Sequence, residues 1–169
     1  ITYSTDNRGN KDVDVSNASV LYNGSVPENK VKELFNTLES GLIRVIDYDG
    51  NGTNDAVVVN DNHAFVFKSM DKNNNILYSK ITGQTPIDLD DYDKVTIKNT
   101  SGDRLTAEVI EEDNVLNIAA AVDKSRIKII VANTKIGGTI NSIKRDDYAY
   151  ISIDSTEYRA NKRHTAIYD

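Results

Sequence analysis

The chain has 169 residues, a formal charge of −6 at pH 7 and a charged fraction of 27% against 38% hydrophobic, with a mean hydropathy of −0.49. That length allows one domain or two small ones with a real core. Several classes are excluded. No apolar run reaches the roughly 18–20 residues of a membrane-crossing helix, zero Cys removes disulfide and thiolate chemistry, and an acidic surface repels nucleic acid and anionic membranes.

In chain order, the dominant signal is short alternating or apolar runs rich in Val, Ile and Tyr, the pattern of half-buried strands. The expected strands are 11–15, 19–22, 42–46, 56–59, 64–68, 76–81, 94–98, 115–120, 127–132, 138–143, 149–153 and 157–160. Between them stand Asn23-Gly24, Asp49-Gly50-Asn51-Gly52, Asp71 to Asn75 and Ser101-Gly102-Asp103, residues that accept the positive φ of tight turns. One stretch breaks the pattern. Val31, Leu34, Phe35 and Leu38 fall on one helical face, Ser25 and Glu28 have capping-box spacing, and Gly41 stands where a helix would end. The spacing predicts an amphipathic helix over about 26–40. Residues 106–112 fit either a helical turn or a strand.

The expected architecture is mainly β: an antiparallel sandwich or barrel-like unit with that one helix over 1–134, then a smaller β unit over 135–169, the break marked by Gly137-Gly138. The second unit is too short for a full core of its own. It either packs on the first or is completed by residues beyond Asp169. Ile1 is not an initiator Met, and the chain reads as a piece of a longer protein.

The sharpest local feature is Asp47-Tyr48-Asp49-Gly50-Asn51-Gly52-Thr53-Asn54-Asp55. Oxygen side chains occupy positions 1, 3, 5 and 9, with Gly at position 6, as in the front half of an EF-hand-type loop, and the Thr53 carbonyl can add a further oxygen. Asp47, Asp49, Asn51, Thr53 and Asp55 are therefore the candidate calcium ligands. Position 12 is Val58 rather than a bidentate Glu, and the flanks are strands. The alternative is a metal-free hairpin, because Asp-Gly and Asn-Gly make tight turns for backbone reasons alone.

Other polar clusters point to structure. Asp88, Asp90, Asp91 and Asp93 read as a solvated loop entering the next strand. His63 and His164 lack a nucleophile elbow, a P-loop, a dinucleotide fingerprint or a zinc helix around them. Arg159, Lys162 and Arg163 read as a solvated strand end. Tyr148 and Tyr150 share a strand face, suited to cross-strand packing or, if exposed, to stacking on a sugar. These residues designate no catalytic group.

Several stretches recur as an ordered set: Val13-Asp14-Val15, Ala18-Ser19-Val20-Leu21-Tyr22-Asn23-Gly24, the run from Leu42 through Asp47-Tyr48-Asp49-Gly50 to Val59, Val115-Leu116-Asn117-Ile118-Ala119, Lys128-Ile129-Ile130-Val131 and Gly138-Thr139-Ile140-Asn141-Ser142-Ile143. This order resembles the β-rich, non-anchoring regions of S-layer and S-layer-homology-type cell-surface proteins of spore-forming Gram-positive bacteria. The resemblance implies an extracellular, wall-attached protein in which this segment is a non-catalytic structural or interaction module. Its partners would be neighbouring domains of the same chain or other surface-layer and cell-wall components, without nucleic acid or membrane insertion. Asn51 stands where the family has an acidic residue, and no anchor motif is present. The alternatives are a calcium- or glycan-binding accessory module of a secreted hydrolase and a phage tail or fibre module.

Overall fold

The computed structural model describes residues 2–5, 9–28, 41–145 and 149–160. Over these the protein is mainly β, arranged as four sheets. A hairpin pairs β1 (Thr2–Thr5) with β2 (Gly9–Asp12). A three-stranded sheet of order β3-β5-β4 combines β3 (Ser19–Tyr22), β4 (Gly41–Ile46) and β5 (Ala56–Asp61).

The largest sheet has seven strands in the order β10-β9-β12-β11-β6-β7-β8. Its members are β6 (His63–Asp71), β7 (Ile76–Ser79), β8 (Ile87–Asp88), β9 (Val95–Asn99), β10 (Arg104–Leu105), β11 (Val115–Ala120) and β12 (Ile127–Ala132). A separate meander joins β13 (Ile140–Arg145), β14 (Ala149–Ile153) and β15 (Thr156–Ala160).

The seven-stranded and the β3-β5-β4 sheets are mixed, not wholly antiparallel as the sequence suggested. β3 pairs parallel to β5, and β9 parallel to β12. A parallel pair needs a long crossover, about a dozen residues or more. These crossovers contain further strands, β4 in the first and β10 and β11 in the second, and each pairs antiparallel with a neighbour.

The main core lies on one face of the seven-stranded sheet. Alternation on β11 and β12 sends Leu116 and Ile118, and Ile127, Ile129 and Val131, to that face, where Ile118, Ile129 and Ile97 stand in one cross-strand row. Phe65, Phe67 and Leu77 continue it. Two 3-10 turns close it: Leu89–Asp91 inserts Leu89, and Ala107–Val109 leads into Ile110. The second turn settles residues 106–112 as a short helical turn. A smaller core joins Val20, Tyr22, Val57 and Val59 in the three-stranded sheet.

Most of the expected helix, residues 29–40, lies outside the described residues. Its flanks are placed differently from the expectation. Ser25 forms a β-bridge with Tyr22 across the Asn23-Gly24 turn instead of capping a helix. Gly41 opens β4 at φ 151°, and a Cβ there would lie 1.9 Å from the Asn60 carbonyl oxygen, so close strand approach accounts for the glycine.

Candidate functional site

The β4–β5 connection builds the candidate metal loop. Asp55 donates its N–H to the Ile46 carbonyl (2.8 Å), and Tyr48 donates its N–H to Asp55 Oδ2 (2.7 Å), which closes the base of the loop. Asp47 accepts from Gly50 N–H at Oδ1 (2.8 Å) and from Gly52 N–H at Oδ2 (2.9 Å). Asp49 Oδ1 accepts from Asn51 N–H, and its Oδ2 accepts from the Asn51 amide. Asn51 Oδ1 in turn accepts from Thr53 N–H (2.7 Å). Short Asp and Asn side chains fold the loop because they reach backbone amides two to five residues on.

The folding brings three of the sequence-predicted ligands together. Asp47, Asp49 and Asp55 each present an oxygen within 4.8 Å of the others, all on exposed residues. Ionised carboxylates keep unused lone pairs after accepting two N–H bonds, so these groups can add a hard cation to what they already hold. Asn51 is turned into the loop by its bonds to Asp49 and Thr53. Val58, at position 12, sits on β5 opposite Arg44 and brings no oxygen side chain. Like charges about 4 Å apart repel by about 1 kcal/mol per pair in water, repulsion that a bound cation would reverse.

The loop is tied to what precedes it. The Asn54 amide donates to the Asp14 carbonyl (2.6 Å), and Ser19 N–H donates to the Asp55 carbonyl (2.8 Å). Asp14 accepts the N–H and hydroxyl of Ser16, which hold its carboxyl below the usual carboxylate range.

The second acidic cluster is a cap. Asp88 accepts from Asp90 N–H at the start of the 3-10 turn, Asp91 pairs with Lys124 at 2.6 Å, and the Asn75 amide donates to Asp90. His63 opens β6 with its side chain 49% exposed, and Nε2 lies 3.4 Å from Asp61 Oδ2. Tyr150 lies on β14 and Arg159 on β15. Tyr148, Lys162, Arg163 and His164 lie outside the described residues.

The sequence reading passed over Asp61. It is 1% exposed, its Oδ2 accepts the Tyr22 hydroxyl at 2.5 Å, and its Oδ1 has no hydrogen-bond partner. Burial first, then the hydrogen bond to Asp61 and its charge, push the Tyr22 phenol well above its ordinary value. Asn23 binds the same residue through the backbone, accepting from Asp61 N–H (2.9 Å) and donating to the Asp61 carbonyl (3.1 Å). The visible clue was an Asp two residues past a run of valines on one strand, where a carboxyl is expensive to bury unless paired.

Comparison of the chain with protein families, with curated proteins and with solved structures returns no match. Among the described residues no helix is long and apolar enough to cross a membrane.

Proposed function

We propose that the chain is a non-catalytic structural and interaction module of a secreted bacterial cell-surface protein of the S-layer kind. The observation that carries this reading is the use made of the loop carboxyls. Asp47, Asp49, Asp71, Asp88 and Asp123 all accept backbone N–H groups of their own turns. Acidic side chains spent this way make rigid, hydrated connections between strands. The ordered set of sequence stretches supports the surface assignment.

In finer terms, the seven-stranded sheet, open at its β10 and β8 edges, is the body of the main unit, with an irregularity between Phe67 and Ser69 in β6. The meander of β13, β14 and β15 is the described part of the smaller unit. Its β13 is exposed along its whole length, with Ile140 and Ile143 about half exposed, and neighbouring domains of the parent chain or surface-layer components dock there. Antibodies against the chain would label intact, unpermeabilised cells of the source organism and recover it in the surface-layer extract. Labelling that required cell lysis would refute the assignment.

The convergence of Asp47, Asp49 and Asp55 favours a second element of the reading: the β4–β5 loop takes calcium, with waters completing the six to eight oxygens the ion requires. Saturation at a hundredfold excess over Kd adds about 2.7 kcal/mol, a rise in Tm of about 5–10 °C for a chain of this size. Tyr48, exposed within the loop, would sensitise terbium luminescence. Asp49→Asn would abolish both signals. An unchanged melt in millimolar calcium, with no terbium emission, would leave the loop a metal-free hairpin.

A further inference from the structure

The face of the seven-stranded sheet opposite its core carries Ala119, Lys128 and Thr96 in one row across β11, β12 and β9. Lys94 and Arg126 precede that row, and the Lys94 carbonyl accepts Ile127 N–H at 2.9 Å. The Asn23-Gly24 turn and Asn60 of β5 overhang it. This wall is fixed: Asn23 is 8% exposed and its amide donates to the Ala120 carbonyl at 2.8 Å, which fastens the three-stranded sheet to the large one.

Between wall and sheet lies a cavity of about 270 Å³ lined by Lys94, Arg126, Lys128, Thr96, Asn23 and Asn60 among others, with no acidic residue in its lining. Its volume is just below the roughly 300 Å³ at which small-molecule sites begin. Lys94, Arg126 and Lys128 form no ion pair among the described residues. Gly24, at φ 86°, keeps room for Arg126: a Cβ there would lie 3.1 Å from Arg126 Cδ and Nη1.

We propose that this cleft is a binding site for a small oxyanion, the phosphate or carboxylate group of a ligand about the size of one sugar unit. Three cations converge in a chain whose net charge is −6, and a recess lined by one sign of charge concentrates counter-ions of the other. The Arg126 guanidinium offers the fork that matches a phosphate or carboxylate. The Asn60 amide and Thr96 hydroxyl supply uncharged donors and acceptors beside it. The site requires neither the surface location nor the calcium loop.

The test is titration of the intact chain with glucose 1-phosphate, with glucuronate and, as the neutral control, with glucose, followed by calorimetry and by amide chemical shifts. At least one anion binds at low salt, shifts the amides of Ala119, Arg126 and Lys128, and is released as salt rises; which anion binds identifies the source of the charge. Arg126→Gln and Lys94→Gln each weaken it about tenfold. Both side chains are exposed, and unchanged circular dichroism checks the fold of each variant. Binding of neither anion, equal binding of glucose, or binding that survives the Arg126→Gln/Lys94→Gln double change would overturn the proposal.

Discussion

Replacing Tyr22 by Phe removes one hydroxyl and nothing else from the smaller core, because the ring that packs with Val20, Val57 and Val59 stays. The loss falls on Asp61. Its Oδ2 keeps only His63 Nε2 at 3.4 Å, and its Oδ1 already has no hydrogen-bond partner. A buried acceptor left unsatisfied costs about 1–3 kcal/mol, and more when charged, so Tyr22→Phe should destabilise the protein by about 2–3 kcal/mol. That corresponds to a fall in Tm of roughly 4–12 °C at this chain length. Urea unfolding followed by far-ultraviolet circular dichroism measures it, with an unchanged m-value confirming that compactness is unaltered. In a cycle with Asp61→Leu, the tyrosine change should cost less once the carboxyl is gone, giving a coupling of about 1 kcal/mol or more. A Tyr22→Phe variant within about 0.5 kcal/mol of the parent, or strict additivity in the cycle, would refute the claim that this hydroxyl compensates a buried carboxyl.

The same pair contributes to the alkaline limit. The Tyr22 phenol has a raised pKa in the fold, so its contribution is fully present below the unfolded value of about 10 and is lost as pH rises through the folded one; Tyr22→Phe should flatten the fall in Tm above about pH 10. The acid limb has the opposite sign. Bonds from their own turns hold Asp14, Asp71 and Asp123 below the usual carboxylate range, so their contribution is present above about pH 4 and lost as pH falls below it, visible as a declining Tm in an acid series. In the main core, Leu116→Ala at a fully buried position of β11 should cost about 2–5 kcal/mol in the same urea assay, and a cost below 1 kcal/mol would mean that the cluster around Phe65 and Ile129 is not the stabilising core.

Much of the strand layout was legible because alternation is a local signal. Strands 115–120, 127–132 and 149–153 match β11, β12 and β14 end to end. The two-residue strands β8 and β10 carry no period to detect, and they exist only through pairing with β7 and β9. Parallel pairing was invisible for a related reason: which strand returns beside which depends on crossovers that no window spans. Ser25 and Gly41 each have a second physical use that the pattern alone does not show, strand bridging for Ser25 and close strand approach for Gly41. The convergence of Asp47, Asp49 and Asp55 was legible, since they lie within one loop and it follows from bonds to nearby amides.

The cationic cleft could not be read in the same way, and the reason is a sorting of charge by side-chain length. Asp is short enough to bond the backbone of its own turn, so the acidic residues collect in loops. Lys and Arg are long enough to lay their stems along an exposed strand face while the charged ends stay in water, so Lys94, Arg126 and Lys128 stand on or beside β9 and β12. Net charge sums over both populations and conceals the separation. A chain at −6 with scattered basic residues reads as uniformly repulsive to anions. Once β9 and β12 pair in parallel, Lys128 faces Thr96, and the Asn23-Gly24 turn closes over them. The local field is then set by three neighbouring cations and not by the total. Anion affinity that tracked the isoelectric point of surface-charge variants, rather than these three positions, would show that the sorting has no functional consequence.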